Sequence, residues 1–292
     1  MKTLLLIDTH ALIHRFFHAL PPLTTPQGEP IGAIYGLSGV LLKLLQDGNG
    51  DTPPDYLAAA LDRPEPTFRK EAFHQYKIQR PKASDALISQ LKRLPEVFAM
   101  FHINTFSLAG FEADDVIGSL TEKFSREPDL KTVILSGDLD ILQLVRDKKV
   151  FGNIIKTGTS TTMLYDEKAV VLRYGLRPTE LPDYKGLVGD VSDNIPGVDG
   201  IGPKTAAELL KEFKNLEGIY ENIALIPKKV AEKLVPQKEK AFLARQLATI
   251  RNDVPLEAVS LSALARPAVD LEKMRSFFER LGFSSLVKRL SV

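Results

Sequence analysis

The stretch GFEADD (110–115) places Glu112, Asp114 and Asp115 within four consecutive residues. Acids in a first helical turn interact favourably with the helix dipole. Three side by side repel one another unless a cation lies among them. Other carboxylates recur in comparable settings: Asp8 ends TLLLID, Asp62 ends YLAAALD, Asp138 and Asp140 lie in SGDLD, and Asp190 and Asp193 lie in GDVSDN. A single aspartate at a strand end is ordinarily a turn former or a helix cap. Alone, SGDLD reads as a turn before a helix and GDVSDN as a polar loop. Their joint placement asks for more, because converging buried carboxylates are costly without a counter-ion. Hard divalent cations supply one: Mg²⁺ and Mn²⁺ prefer oxygen donors, and Mg²⁺ keeps waters that further carboxylates can hold. A cluster this rich could hold two metals about 4 Å apart, the arrangement that supports phosphodiester hydrolysis. The acidic loops lack the spacing of an EF-hand, and the five histidines never form the H-E-x-x-H of a zincin.

The elements that must position these acids are legible in outline. Thr3–Asp8, Tyr56–Asp62 and Lys131–Asp138 read as buried strands, and Gly32–Gln46, Asp85–Phe101 and Glu112–Phe124 carry apolar residues at helical spacing. Such alternation predicts an α/β fold with a mostly parallel central sheet flanked by helices. Each predicted strand ends in an aspartate, and functional crevices of open α/β sheets lie beyond the carboxyl ends of the strands. From about Pro182 the strand-like runs give way to short helices joined by Gly and Pro. The expected organisation is an α/β core over 1–184, including a segment at about 64–95 that projects from it, followed by a helical region over 185–292.

Thirty-eight basic against thirty-seven acidic residues leave the 292-residue chain near neutrality, so any nucleic-acid partner must be read from local charge. There is no cysteine, which excludes disulfides and thiolate zinc sites and fits a reducing compartment. The apolar run in MKTLLLIDTH is too short for a signal peptide or a membrane span, so a cytoplasmic protein without membrane attachment is expected.

Two further segments carry chemistry. From Asp62 to Arg93 there are eight Lys or Arg against four acids, with Phe68, Phe73 and Tyr76 interleaved. Such a run is commonly a solvated helix face. It is also the composition of a single-strand channel, with cations along phosphates and rings on bases. The second segment, GVDGIGPKT (197–205), departs from a Walker A loop because Pro203 separates Gly202 from Lys204. A glycine turn opening a helix at Pro203 exposes backbone N–H groups suited to a phosphate, with Lys204 and Thr205 just beyond. This is a helix-hairpin-helix style of backbone binding. Gly202–Arg251 adds ten basic residues against six acids.

With these segments in hand, the chain resembles the 5′ nuclease domain of bacterial DNA polymerase I, in the flap endonuclease family. HRFFHALPPLTTPQGEPIGAIYG, TFRKEAFHQYK, GFEADDVIGSL, SGDLDILQLV, YGLRP and GDVSDNIPGVDGIGPKTA carry the resemblance over nearly the whole length. It implies a PIN-like core with a helical arch, and one metal held by Asp8, Asp62, Glu112 and Asp114 with Asp115 nearby. A second metal would be held from Asp138, Asp140, Asp190 and Asp193, partly through water. By the same resemblance, Lys77 and Arg80 at the base of the arch contact the scissile phosphate, Tyr76 stacks on the unpaired terminal nucleotide, and Arg15 binds phosphate. The turn at Gly200–Gly202 grips the duplex, with K⁺ held by loop carbonyls near Ser192. The implied partners are DNA with a 5′ flap or 5′ end, RNA-primed ends included, and a polymerase on the same chain or in trans. A monomer acting in primer removal and repair is expected.

Three positions depart from the family pattern: Leu139 where Lys is common, Thr9 where Gly is usual, and Arg63 where Ala is usual. None removes a carboxylate. A compensating cation at Arg63 is one expectation for the charge missing at Leu139. Two rival readings are a non-catalytic DNA junction binder on the same fold and a phosphohydrolase of the haloacid dehalogenase type. The latter needs D-x-D after the first strand, where this chain has Asp8-Thr9-His10.

Overall fold

The first strand, β1 (Lys2–Asp8), is apolar without interruption over Leu4–Ile7 because both faces of that stretch are covered. Leu5 and Ile7 point into one apolar cluster, Leu4 and Leu6 into another on the opposite side of the sheet, as the two-residue period of a strand requires. The computed structural model describes residues 1–46, 52–155, 162–256, 258–266 and 268–290. After β1 the chain runs through α1 (Thr9–Ala19), α2 (Gly32–Gln46), β2 (Tyr56–Ala60) and α3 (Phe68–Ala72). Next come α4 (Asp85–Leu91), α5 (Leu94–Met100), β3 (Asn104–Phe106), α6 (Ala113–Phe124) and β4 (Leu130–Ser136). Strands β5 (Val150–Ile155) and β6 (Thr162–Tyr165) complete a six-stranded sheet of order β3-β2-β1-β4-β5-β6. All neighbours pair in parallel except β5 and β6. Thus β1 lies between β2 and β4, and Asp8, Asp62 and Asp138 follow three adjacent strands at their carboxyl ends.

The segment expected as one helix over Asp85–Phe101 is two. Pro95 lies at the start of α5, where it lacks the N–H and the room to continue the preceding turn. Strands β3, β5 and β6 lay outside the predicted set.

Beyond the sheet follow α7 (Glu167–Tyr174), α8 (Leu181–Val188) and a short hairpin of β7 (Gly189–Asp190) and β8 (Ile195–Pro196). Helices α9 (Pro203–Phe213), α10 (Leu216–Glu221), α11 (Lys228–Leu234) and α12 (Lys238–Ala248) surround a third apolar cluster that includes Leu187, Leu210, Leu216 and Leu234. The last helices, α13 (Leu271–Arg280) and α14 (Ser284–Arg289), return to the sheet. Their Met274, Phe278 and Leu286 share the first cluster with Leu37, Phe98 and Phe101. Among the described residues, no helix is long and apolar enough to cross a membrane.

Candidate active site

Asp8 is held by its position as the cap of α1: its Oδ1 accepts from Ala11 N at 3.2 Å and its Oδ2 accepts from the Ser136 hydroxyl at the end of β4. Asp62 accepts from Ala113 N at 2.7 Å, which ties the end of β2 to the start of α6. Its own N–H donates to His10 Nδ1 at 3.0 Å. Asp138 accepts from Asp140 N at 3.0 Å and donates its N–H to Ser136 Oγ. These contacts gather Asp8, Asp62, Glu112, Asp114 and Asp138 along a cavity of about 580 Å³, which Lys77, Arg80, His10 and His14 also line.

The electrostatics of this group are unusual. Among the described residues, Asp8, Asp114 and Asp138 make no ion pair with Lys or Arg, and Asp62 faces only His10, at 3.8 Å. Burial, with Asp62 and Asp138 nearby, pushes Asp8 up to about 7 although Ser136 opposes the shift. Burial and the charges of Asp8, Asp138 and Asp140 hold Asp114 well above the ordinary aspartate range. Glu112 apart, the fold therefore crowds carboxylates here and leaves them without a Lys or Arg partner among the described residues.

A second group is arranged differently. One oxygen from each of Asp140, Asp190 and Asp193 lies within 4.8 Å of the others. Gly189 makes the hairpin that carries two of them possible: its φ is +73°, and a Cβ there would sit 2.4 Å from Gly197 N. The Lys185 ammonium pairs with Asp140 and, at 2.6 Å, with Asp190, whose other oxygen accepts from Ser192 N and Oγ. Burial opposes the charge on Asp190, yet Lys185 and Ser192 hold its pKa at about 2. Asp193 accepts from Arg80 Nη2 at 2.5 Å and from the Tyr76 hydroxyl at 3.1 Å. Lys77 reaches both oxygens of Glu112 at 2.9 Å.

Several expected residues stand elsewhere or face other partners. Asp115 is fully buried and engaged by Arg69, with the remaining oxygen capacity taken by the N–H groups of Glu112 and Arg251. It braces the cavity-facing acids and is not one of them. Tyr76 is 4 % exposed, with its hydroxyl donating toward Glu112 and Asp193, so its ring offers no free face to a base in this conformation. Ser192 belongs to the carboxylate hairpin, its carbonyl facing Gln79 and Arg80. At the glycine turn, the Gly200 carbonyl accepts from Lys233 at 2.9 Å. Arg63 pairs with the exposed Glu65 and does not replace the charge missing at Leu139. Arg15 has a buried Nε without a hydrogen-bond partner among the described residues, with its Cδ beside Gly137. Gly200 has φ +82°, Gly202 opens α9 with Pro203 in its first turn, and Lys204 is exposed. Sequence reasoning passed over Arg69 and Lys185. The first lay in a quoted motif, and the second lies five residues before Asp190 on a helix whose direction only the fold reveals.

An uncompensated carboxylate crevice at the carboxyl edge of a parallel sheet, overhung by a basic segment, defines a class of hydrolase built to handle phosphodiesters. Residues 3–175 match the 5′-3′ exonuclease N-terminal resolvase-like domain and residues 176–272 the 5′-3′ exonuclease C-terminal SAM fold. The chain belongs to the 5′-3′ exonuclease family. It is 41 % identical over 291 residues to DNA polymerase I of Caldicellulosiruptor bescii, covering 99 % of this chain and 33 % of that protein. It is 36 % identical to a 5′-3′ exonuclease of Aquifex aeolicus, covering 99 % of this chain and 96 % of the relative. The chain thus spans about a third of the length of the polymerase relatives it matches. The same fold occurs in the T5 D15 protein co-crystallized with metal ions (TM-score 0.67, 23 % identity, 85 % of this chain and 89 % of that one). It occurs again in the catalytic core of Rad2 in complex with DNA substrate (TM-score 0.61, 18 % identity, 96 % and 87 %).

Proposed function

We propose that this chain is a divalent-metal-dependent, structure-specific 5′ nuclease that hydrolyses DNA at a 5′ flap or 5′ end, in primer removal and repair. The observation that carries the reading is the uncompensated group of Asp8, Asp62, Asp114 and Asp138 on the floor of a cavity edged by Lys77 and Arg80. An all-oxygen donor set with no basic partner fits a hard cation such as Mg²⁺ or Mn²⁺. Asp8, Asp62, Glu112 and Asp114 would hold one ion, joined by Asp138, which the resemblance places in the second set but which lines the same cavity, and Asp140, Asp190 and Asp193 a second. Bound there, such ions lower the pKa of water and stabilise charge on the leaving oxygen.

The chain's own residues do the rest. Lys77 and Arg80 are docked on Glu112 and Asp193. An entering phosphate draws both cations from these carboxylates onto its oxygens, where they stabilise the charge built up during attack. Water adds to phosphorus in line, the bond to O3′ breaks, and the products are a 3′-OH and a 5′-phosphate. Arg15, with its unsatisfied Nε beside Gly137, supplies a further phosphate contact. The N-terminus of α9, with Gly202, Lys204 and Thr205, holds the duplex through its backbone. We assign catalysis to residues 1–184 together with the hairpin acids Asp190 and Asp193, and duplex holding to the rest of the helical region.

The test is a 5′-flapped duplex labelled at the flap end, incubated with Mg²⁺ or with EDTA beside a matched single strand and a blunt duplex. Metal-dependent release of the flap near the junction is expected, with little cutting of the single strand. Tight binding of the flap with no cleavage in Mg²⁺ or Mn²⁺ would instead support a junction binder.

A further inference from the structure

The two carboxylate groups differ in where the chain's own cations fall: among the described residues of the first group only Glu112 faces Lys or Arg, whereas in the second all three acids do. Helix α8 delivers Lys185 between Asp140 and Asp190. Its backbone has little freedom to withdraw. Asp183 on the same helix pairs with Arg245 of α12 at 2.9 Å, and a Cβ at Gly186 would sit 3.0 Å from the Ala241 carbonyl. Leu139, between Asp138 and Asp140, packs against the apolar cluster beneath the sheet, so that position supplies no charge. Arg63 is spent on Glu65. Asp193, the third member, already faces Arg80 and, at 3.7 Å, Lys77. A divalent cation approaching Asp140, Asp190 and Asp193 meets three carboxylates whose charge is largely neutralised. One approaching Asp8, Asp62, Asp114 and Asp138 meets carboxylates that, among the described residues, pair with no ammonium or guanidinium.

We propose that Lys185 is a resident counter-ion that makes the two groups unequal: the first binds a divalent cation readily, and the second binds one only by displacing the Lys185 ammonium from Asp140 and Asp190. Lys185 is a positioning residue in this account. It keeps the hairpin acids in place before the second cation arrives and sets the concentration at which that cation enters. This rests on the metal-dependent nuclease reading given above.

The experiment is a calorimetric titration of the full chain with Mn²⁺ in the absence of DNA, repeated for Lys185→Met and Lys185→Arg. The wild type is expected to show one tight and one weak class of site. In Lys185→Met the weak class should tighten by about 10- to 100-fold, the range typical of residues that tune metal ligands without being ligands themselves. The tight class should stay where it is, and Lys185→Arg should keep the wild-type gap. Equal weak-class constants in wild type and Lys185→Met would overturn the proposal, as would a parallel change in both classes. Absence of any Mn²⁺ binding by the wild type would instead overturn the nuclease reading beneath it. Thermal melting guards against a folding defect. Lys185→Met should melt lower than wild type without metal and gain more from Mn²⁺ than wild type does. A variant that Mn²⁺ does not restore would count against Lys185 as a counter-ion.

Discussion

Arg69 and Asp115 face each other in parallel, Nη1 to Oδ2 at 2.6 Å and Nη2 to Oδ1 at 2.8 Å, with both side chains almost wholly removed from solvent. The pair connects three parts of the molecule. Arg69 stands on α3 at the root of the basic segment, Asp115 lies in the first turn of α6, and Arg69 also donates to the carbonyls of Leu247 and Thr249 at the end of α12. Burial disfavours the guanidinium charge, but Asp115 more than offsets this and raises the Arg69 pKa. Through the Glu112 N–H, which donates to Asp115, the pair also fixes the neighbour that faces the cavity.

Removing one member strands a buried charge. Arg69→Met should therefore lower the unfolding free energy by about 3–5 kcal/mol, the usual cost of breaking a buried pair from one side. Adding Asp115→Asn should recover part of that loss, because the stranded charge goes with it. Denaturant unfolding of the two variants measures both. A loss below about 1 kcal/mol for Arg69→Met would place the pair among solvent-exposed bridges in energetic terms.

The carboxylate floor gives a pH dependence whose sign is opposite to ordinary acid denaturation. Burial, with the neighbouring Asp62 and Asp138, pushes the Asp8 carboxyl up to about 7 from the 3.8 of a free aspartate. Asp140 is likewise raised to about 7 by burial and Asp138, against the pull of Lys185. Between these values the folded chain holds more protons than the unfolded one, so this contribution to stability is lost as pH rises through about 7. Without metal, the melting temperature should fall from mildly acidic to mildly alkaline pH. With saturating Mg²⁺ the acids are ionised against a cation in the fold, and the fall should flatten or reverse. Melting curves in EDTA and in Mg²⁺ across that window decide it. A metal-free melting temperature that climbs through neutrality would contradict the assignment of an uncompensated floor.

The parts of this arrangement carried by local pattern were readable from the chain. The aspartates closing TLLLID, YLAAALD and KTVILSGD could be assigned to strand ends because apolar runs and their punctuation are local signals, whereas the adjacency of those strands is shown by the sheet. Glycines before Pro203 announced a helix start for the same reason. Arg69 and Lys185 were not readable, because a long basic side chain gives no sign of which distant acid it will meet. The family resemblance implies a stacking ring at Tyr76, whereas the fold turns it inward to donate toward Glu112 and Asp193. The return of α13 and α14 to the sheet depends on apolar faces matched across more than half the sequence. Periodicity identifies such faces without naming their partners.

At the glycine turn, the exposed N–H groups opening α9 and the exposed Lys204 predict a sequence-independent grip on duplex phosphates. Lys204→Glu should weaken duplex binding and reduce the slope of log affinity against log salt by about 1 or somewhat more, since one phosphate contact is lost and an acid is placed beside it. Fluorescence anisotropy with a labelled duplex across a salt series gives both quantities. Identical slopes for the variant and wild type would remove Lys204 from the interface.

The acids of the floor should separate cleavage from binding. Asp114→Asn and Asp138→Asn each retain shape and remove a charge from the group that faces the cavity. Among the described residues neither side chain is an ion-pair partner, so neither substitution strands a cation there. Both variants should bind flapped DNA about as tightly as wild type, because phosphate affinity comes from the basic residues and not from the floor. Cleavage should fall by several orders of magnitude, since orientation of water and stabilisation of the leaving oxygen both depend on cations held there. Single-turnover cleavage measured beside anisotropy on the same substrate distinguishes the two effects. Near-normal turnover in either variant would exclude that aspartate from the metal-holding set. Loss of binding in proportion to turnover would show that the floor holds DNA and does not cut it.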